Sequence, residues 1–350
     1  MGLAAQDEYG FLRGDGFDFP LEEEHLATYL GVLARRAQRW AALLASAGGY
    51  QQLRRGAQLK RFVRKGVPSC HRRGVWLEVC GAGRAQRAQP ELYRAMVAAA
   101  PASQVLVDQI RTDLPRTFPN NSHFDSSKPD NMQASLYNVL LALANNNPAI
   151  GYCQGMNYIA GLLLLVTREE ESAFWLLKVL LEQLLPDYYT ASMPGLLTDL
   201  AVLEELAAAE LPALAAHIGE LGVPWALFAS KWLICLYCEV LPTETVLRVW
   251  DTLFYEGSKV VFRVALGLLR VHEQALLATR DFAGLVEALK AVAVSRETVA
   301  CHSFLEEVME RTGGLPRARI ARLRATKGEH VKREQEEREA RRKEGGLKEG

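Results

Sequence analysis

The spacing of apolar residues limits the fold of this chain more than any other feature. The stretch "EEESAFWLLKVLLEQLLP" (169–186) repeats its large apolar residues every three or four positions. From 194 to 310 similar runs recur, with short breaks at Pro212, Gly222-Val223-Pro224, Pro242, Gly257 and Asp281. That period puts one apolar stripe on each helix, whereas a half-buried strand needs strict alternation. β-Branched alternation is almost absent, so the fold class is all-α. Residues 25–45 place Leu26, Leu30, Leu33 and Trp40 near helical spacing. "GVPSCHRRGVWLEV" (66–79) reads as a loop running into a helix, and "NMQASLYNVLLALA" (131–144) as a helix stopped by "NNNP". No self-similarity recurs at 33–47 residues, which argues against a helical repeat array. With 350 residues the chain is long enough for one large or two medium domains.

One segment resists the helical pattern. "IRTDLPRTFPNN" (110–121) sets Arg116 between Pro115 and Phe118-Pro119. Proline fixes its own φ and pushes the preceding residue toward extended geometry. Leu114 and Phe118 are therefore expected outside helix interiors, with Arg116 on a stiff turn. An arginine that only decorates a surface needs no such arrangement.

A second unusual segment is "AIGYCQGMNYIAG" (149–161), where Gln154 lies between Gly151 and Gly155, just before an apolar run. Glycines permit tight turns and close backbone approach, and a helix N-terminus favours anions. A glutamine there can hold a water or a phosphate oxygen. Taken alone, the stretch reads more readily as an ordinary loop-to-helix transition.

Bulk charge excludes little. Lys+Arg and Asp+Glu balance at 41 each, which favours neither nucleic acid nor a membrane surface. Locally, 51–90 carries Arg54, Arg55, Lys60, Arg61, Arg64, Lys65, Arg72, Arg73, Arg84 and Arg87 against Glu78 alone. This reads either as a patch that steers an acidic partner or as a solvated face with structural ion pairs. The final 327–350 holds eight Lys/Arg and seven Glu with few apolar residues, so a solvated helix or a disordered tail is expected. The start is acidic, without a basic-then-apolar leader, and its Met-Gly lacks the rest of a myristoylation pattern. The longest apolar run, 158–166, is about half a membrane span. Six cysteines at irregular spacings suggest reduced thiols in a cytosolic protein. Cys235 and Cys238 have C-x-x-C spacing but read as core thiols inside an apolar helix, and the six tryptophans as core anchors.

Taken together, the unusual segments carry a resemblance. "IRTDLPRT" resembles the I-x-x-D-x-x-R signature and "YCQGMN" the Y-x-Q-G-x-N signature of the TBC domain, the GTPase-activating module for Rab proteins. "GVPSCHRRGVW" is similar to that family's opening G-I-P-x-x-L-R-x-x-V-W, with His71 where an apolar residue is usual. "LFASKWLICLYCEVLP" and "VLRVWDTLFYEG" resemble its later helices, in the family's order. The resemblance implies a fold of two helical subdomains. Its domain division is an N-terminal helical extension at 1–63, the TBC domain at 64–280, C-terminal helices at 281–326 and a charged tail at 327–350. It implies that Arg116 is an arginine finger and Gln154 a glutamine finger, acting in trans on a GTP-bound Rab. Asp113 would position the arginine loop, Tyr152, Gly155 and Asn157 would shape the glutamine loop, and Arg72 would be structural rather than catalytic. No cofactor or metal is expected on this chain, since GTP and Mg²⁺ belong to the partner GTPase. A monomer in the cytoplasm is expected, reaching membranes only peripherally through the Rab. A Rab-binding scaffold without catalysis and a purely structural helical adaptor are the alternative readings.

Overall fold

Helix follows helix along the whole chain in the computed structural model, which describes residues 5–14 and 18–346. The Met-Gly start and the last four residues of the charged tail lie outside the described residues. In order the helices are α1 (Phe19–Ala47), α2 (Ala57–Lys65), α3 (Ser69–Cys80), α4 (Ala82–Ala88), α5 (Leu92–Ala98), α6 (Gln104–Asp113), α7 (Gln133–Asn146), α8 (Met156–Thr167) and α9 (Glu170–Val179). They continue as α10 (Pro194–Glu210), α11 (Pro212–Glu220), α12 (Trp225–Ile234), α13 (Thr243–Glu256), α14 (Lys259–Val271), α15 (Glu273–Leu277), α16 (Phe282–Ala291), α17 (Arg296–Val299), α18 (Cys301–Arg311) and α19 (Arg317–Gly346). Among the described residues extended pairing is limited to two isolated bridges, Gln6 with Leu12 and Phe11 with Asn121.

Local chemistry sets the boundaries. α1 starts earlier than its apolar stripe because Asp18 accepts the Leu21 amide at 2.9 Å and Pro20 occupies the first turn. It ends at Gly48 in left-handed geometry. The packing falls into two groups, α3–α9 and α10–α19, joined where α3 lies on α13. Trp76 of α3 meets Phe254 at 5.0 Å and Trp250 at 6.1 Å between ring centroids, both on α13. All six tryptophans are buried. Truncating a fully enclosed one such as Trp76 costs about 3–5 kcal/mol. α13 buries every residue from Thr245 to Glu256, and α8 is nearly as enclosed. α8 is apolar nearly all round and belongs in the core for that reason, whereas α13 also buries Arg248, Asp251 and Glu256, which other side chains pair.

One expectation is narrowed and one needs correction. Where described, the charged tail takes the solvated-helix alternative, as the mostly exposed later turns of α19, a helix whose earlier turns pack along α10. Arg324 bonds both oxygens of Asp199 at 2.7 and 2.6 Å, and Lys327 reaches Glu205 at 3.0 Å. The C-x-x-C pair lies outside the helix expected to hold it, because α12 stops at Ile234. Leu236 and Tyr237 then take positive φ (48° and 68°). That turn sends the Tyr237 hydroxyl to the Val261 carbonyl at 2.7 Å and offers the Leu236 carbonyl to Trp250 at 3.0 Å. Burial raises both thiols above the ordinary cysteine range, that of Cys235 to about 11, consistent with unreactive core cysteines. Among the described residues no helix is long and apolar enough to cross a membrane, and no cluster of three or more His, Cys, Asp or Glu is arranged to hold a metal ion.

Candidate functional site

Arg116 emerges from the C-terminal end of α6. Ser103 starts that helix by accepting the Val105 amide at 3.2 Å, and Asp113 closes it. Leu114 and Phe118 both lie outside helix interiors as expected, but neither is extended: Leu114 caps α6 in right-handed geometry (φ −55°, ψ −54°) and Phe118 has φ of 50°, so packing overrides the pre-proline preference at both. Positive φ is costly for a bulky side chain and persists only where packing over-determines it. Here Phe118 is buried against Phe11 (5.1 Å), Tyr158 (5.5 Å) and Phe124 (5.8 Å). Gly161 of α8 makes the approach possible, since a Cβ there would stand 3.0 Å from the Phe118 ring and 3.2 Å from Thr117. Thr117 and Phe118 are thus sealed inward while the Arg116 side chain stays 52% exposed.

The second loop faces the first. Gly151 and Gly155 adopt φ of 59° and 106°, and α8 begins at Met156. Asn157 accepts the Gly155 amide at 3.0 Å and donates to the Thr117 hydroxyl at 2.8 Å, and Thr117 in turn donates to the Asp113 carbonyl at 2.7 Å. Tyr152 donates its hydroxyl to Asp113 Oδ2, while Arg116 donates to Oδ1 through Nε at 2.5 Å and through Nη2. The two loops are therefore tied together twice, once through Asp113 and once through Asn157. Arg116 and Gln154 line one open cleft of about 420 Å³ together with Val105, Asp108, Asp113 and Tyr152. Gln154 is exposed, and its amide has no hydrogen-bond partner among the described residues.

Electrostatics fix what this cleft can do. The Asp113 carboxylate beside Arg116 raises the guanidinium above its ordinary value, so the side chain stays cationic. Burial and then Asp113 push the Tyr152 phenol up, which keeps its proton on the bond to Asp113. Burial likewise raises the Cys153 thiol, which disfavours the thiolate that nucleophilic attack needs. What remains is a permanent cation and an unengaged amide presented to the same space. Those groups suit stabilising charge on phosphate oxygens and orienting a water.

Arg72 has a different setting. It is 1% exposed, bonded to Glu244 at 2.8 and 2.9 Å, to the Tyr9 hydroxyl at 2.5 Å and more distantly to Asp251 at 3.4 Å. Asp251 also accepts from Trp76 and the Val67 amide, both at 2.9 Å. This ties α3 to α13 and buries the Arg72 side chain, while its partner Glu244 stays partly exposed. His71, the departure from the family pattern, is accommodated by the Tyr50 hydroxyl at 2.8 Å. Four cations of the basic stretch are neutralised by acids distant in sequence: Arg64 and Lys60 by Glu256, Arg73 by Glu169, and Arg72 by Glu244. Tyr9, Phe11 and Asn121 went unread in the sequence. Asn121 Nδ2 donates to the Tyr9 carbonyl at 3.0 Å, so the N-terminal segment braces the arginine loop. A partner over 100 residues away leaves no local signal.

The Rab-GTPase-TBC domain model matches residues 69–277. Growth hormone-regulated TBC protein 1-A of Danio rerio is 45% identical over 318 residues, covering 91% of this chain and 88% of that protein. Growth hormone-regulated TBC protein 1 of Homo sapiens is 44% identical, covering 91% and 93% respectively. The crystal structure of a Chlamydomonas flagellar RabGAP TBC domain superimposes with a TM-score of 0.73 at 33% identity, covering 88% of this chain and 98% of that one.

Proposed function

The chain belongs to the Rab-GTPase-TBC domain family, and from that premise we propose that it is a GTPase-activating protein for Rab-family small GTPases. It acts in trans on the GTP-bound form, supplying Arg116 and Gln154 to a reaction whose GTP and Mg²⁺ the partner carries. Phosphoryl transfer spreads charge over the transferred and leaving oxygens, so catalysis consists mainly of positioning and electrostatic stabilisation. The planar Arg116 fork meets that charge on two oxygens at once, which lysine cannot do. The Gln154 amide accepts from and donates to the attacking water, taking the role of the Rab's own glutamine. Asp113 and Tyr152 act through Arg116: they hold the guanidinium at the cleft mouth until phosphate oxygens replace the carboxylate. Asn157 and Gly155 keep the two loops in register.

The observation that carries this reading is one cleft presenting an exposed guanidinium and an unengaged amide on cross-tied loops. Single-turnover phosphate release from a panel of GTP-loaded Rabs tests it. At least one Rab should be accelerated by the wild-type chain and not by Arg116→Ala. Tight Rab binding without acceleration of any member would make the chain a scaffold instead.

A further inference from the structure

A second cavity of about 400 Å³ lies between α1, α2 and α18 and shares no residue with the cleft of Arg116 and Gln154. Its walls carry Arg35, Arg36 and Arg39 from α1, Arg61 and Lys65 from α2, and His302 from α18. No carboxylate lines it. Like charges four residues apart destabilise a helix, and both α1 (Arg35, Arg39) and α2 (Arg61, Lys65) place such a pair here. Stability alone does not favour that arrangement.

Arg36 is the most informative member. It is 6% exposed and donates from Nη1 to the Tyr29 hydroxyl at 2.9 Å, with its guanidinium carbon 5.3 Å from the Tyr29 ring centroid. Its Nη2 is buried without any partner, and among the described residues no carboxylate lies within ion-pair distance of it. A buried charge ordinarily has a counterion, because desolvation is otherwise uncompensated. His302 Nδ1, in the same cavity, is also buried and unpartnered. Arg35, Arg39, Arg61 and Lys65 are exposed and form no ion pair among the described residues. Arg64 and Lys60 on the same helix α2 do reach a carboxylate, that of Glu256. Around this cavity, by contrast, Arg36 reaches Glu244 only through the Tyr29 hydroxyl, His302 Nε2 has Glu306 at 3.6 Å, and the four exposed cations have no ion pair among the described residues.

We propose that this cavity binds an anion carrying two or more clustered phosphates. Guanidinium forks bond phosphate oxygens in pairs, and several around one enclosure match a ligand with several phosphates better than a single ion. Val32, Phe62 and Trp40 supply an apolar wall for the ring or chain that joins the phosphates. The volume is that of a small-molecule site. A soluble polyphosphorylated molecule and the headgroup of a membrane lipid share this chemistry.

Calorimetry of the full chain with inositol hexakisphosphate should show saturable binding that weakens as salt rises. Arg39→Glu and Arg61→Glu should each reduce affinity roughly ten- to a hundredfold, the worth of a lost charge-assisted bond plus a new repulsion. Arg84→Glu, an exposed charge elsewhere on the same basic stretch, should leave it unchanged. Arg39 and Arg61 are exposed, so these variants fold even if Arg36→Met does not. Co-sedimentation with phosphatidylcholine vesicles, with and without phosphatidylinositol bisphosphate, separates the sources. Pelleting that needs the bisphosphate lipid and is lost in Arg61→Glu identifies a lipid headgroup. Calorimetric binding without pelleting identifies a soluble anion. Absence of binding in both arms, or binding indifferent to Arg39→Glu and Arg61→Glu, overturns the proposal.

Discussion

Arg72 and Arg116 both rest against carboxylates, and they differ in what surrounds the pair. Arg72 is 1% exposed among Glu244, Asp251 and the Tyr9 hydroxyl, between two core helices. The Arg116 side chain is 52% exposed on Asp113, at the rim of an open cleft. A sealed ion pair cannot exchange partners without leaving a charge uncompensated in the interior, which costs about 3–5 kcal/mol. An ion pair open to water contributes about 0–1 kcal/mol and is released easily. The same residue type therefore serves as a rivet in one place and as a movable donor in the other, and accessibility decides which.

The largest effect expected is at the movable donor. Arg116→Ala should lower stimulated hydrolysis by about 10³–10⁵-fold, with Arg116→Lys recovering little. Water can take the place that the exposed Arg116 side chain vacates, and Tyr152 stays bonded to Asp113, so the melt should stay close to wild type. A matched pair of single-turnover assay and denaturant melt checks both statements, and near wild-type hydrolysis would end the finger assignment. The rivet should behave conversely. Arg72→Ala should cost about 3–5 kcal/mol in the melt, yet leave hydrolysis per folded molecule close to wild type. A normal melt with lost activity would place Arg72 in the wrong class.

Gln154→Ala sharpens the contrast within the cleft. It should lower the rate by roughly 10²–10³-fold, the usual cost of one positioned donor at a developing charge, with little loss of Rab binding. A Rab whose switch glutamine is changed to alanine should still respond to the wild-type chain. Dependence on that Rab glutamine, with indifference to Gln154→Ala, would leave Arg116 as the only finger.

Two smaller effects probe buried carboxylates on each side of the comparison. Burial would raise the Glu256 carboxyl, but its bonds to Arg64 and Lys259 hold it down at about 2. A carboxyl depressed in the folded state adds stability above its ordinary value of 4.5 and loses it as pH falls toward about 2. Glu256→Gln should remove about 2–3 kcal/mol at neutral pH and flatten the acid limb of the stability curve over that window. An unchanged acid limb would show the pair to be dispensable. Tyr152→Phe, the mildest change, deletes one bond to Asp113 and should slow hydrolysis by about three- to tenfold through looser placement of Arg116, without altering Rab affinity.

Much of this was legible locally. The three-to-four-residue apolar period is a property of each helix, so the all-α class follows from it, and the continuous apolar run marks α8 as buried; the burial of Arg248, Asp251 and Glu256 on α13 does not follow. Pro115 and Pro119 act on their own neighbours, so the turn holding Arg116 was visible as well. What stayed hidden was long-range. A count of charges over 51–90 cannot see Glu244 and Glu256, which neutralise Arg72 and Arg64. "LICLYC" has a helical composition, yet Leu236 and Tyr237 turn left-handed because partners on α13 and α14 reward it. The motifs marked Tyr152 and Asn157 as shaping residues, but only three dimensions show that both reach across to the arginine loop.

The contacts of Tyr9 have a consequence for the order in which this molecule closes. Its hydroxyl meets the sealed centre at Arg72 and its carbonyl holds Asn121, just past the arginine turn. Both partners, and the Glu244 that completes the centre, are made after it during synthesis. The segment must wait, unpaired, until helices more than two hundred residues later have docked. An element that locks last has few contacts of its own and is ordinarily among the first to open. Amide exchange should therefore be faster at Gly10, whose amide bonds only to the nearby Asp7, than at α13, and brief openings there would release Phe118 along with it. The readiness of the arginine loop would then follow the fraying of a strap a hundred residues upstream.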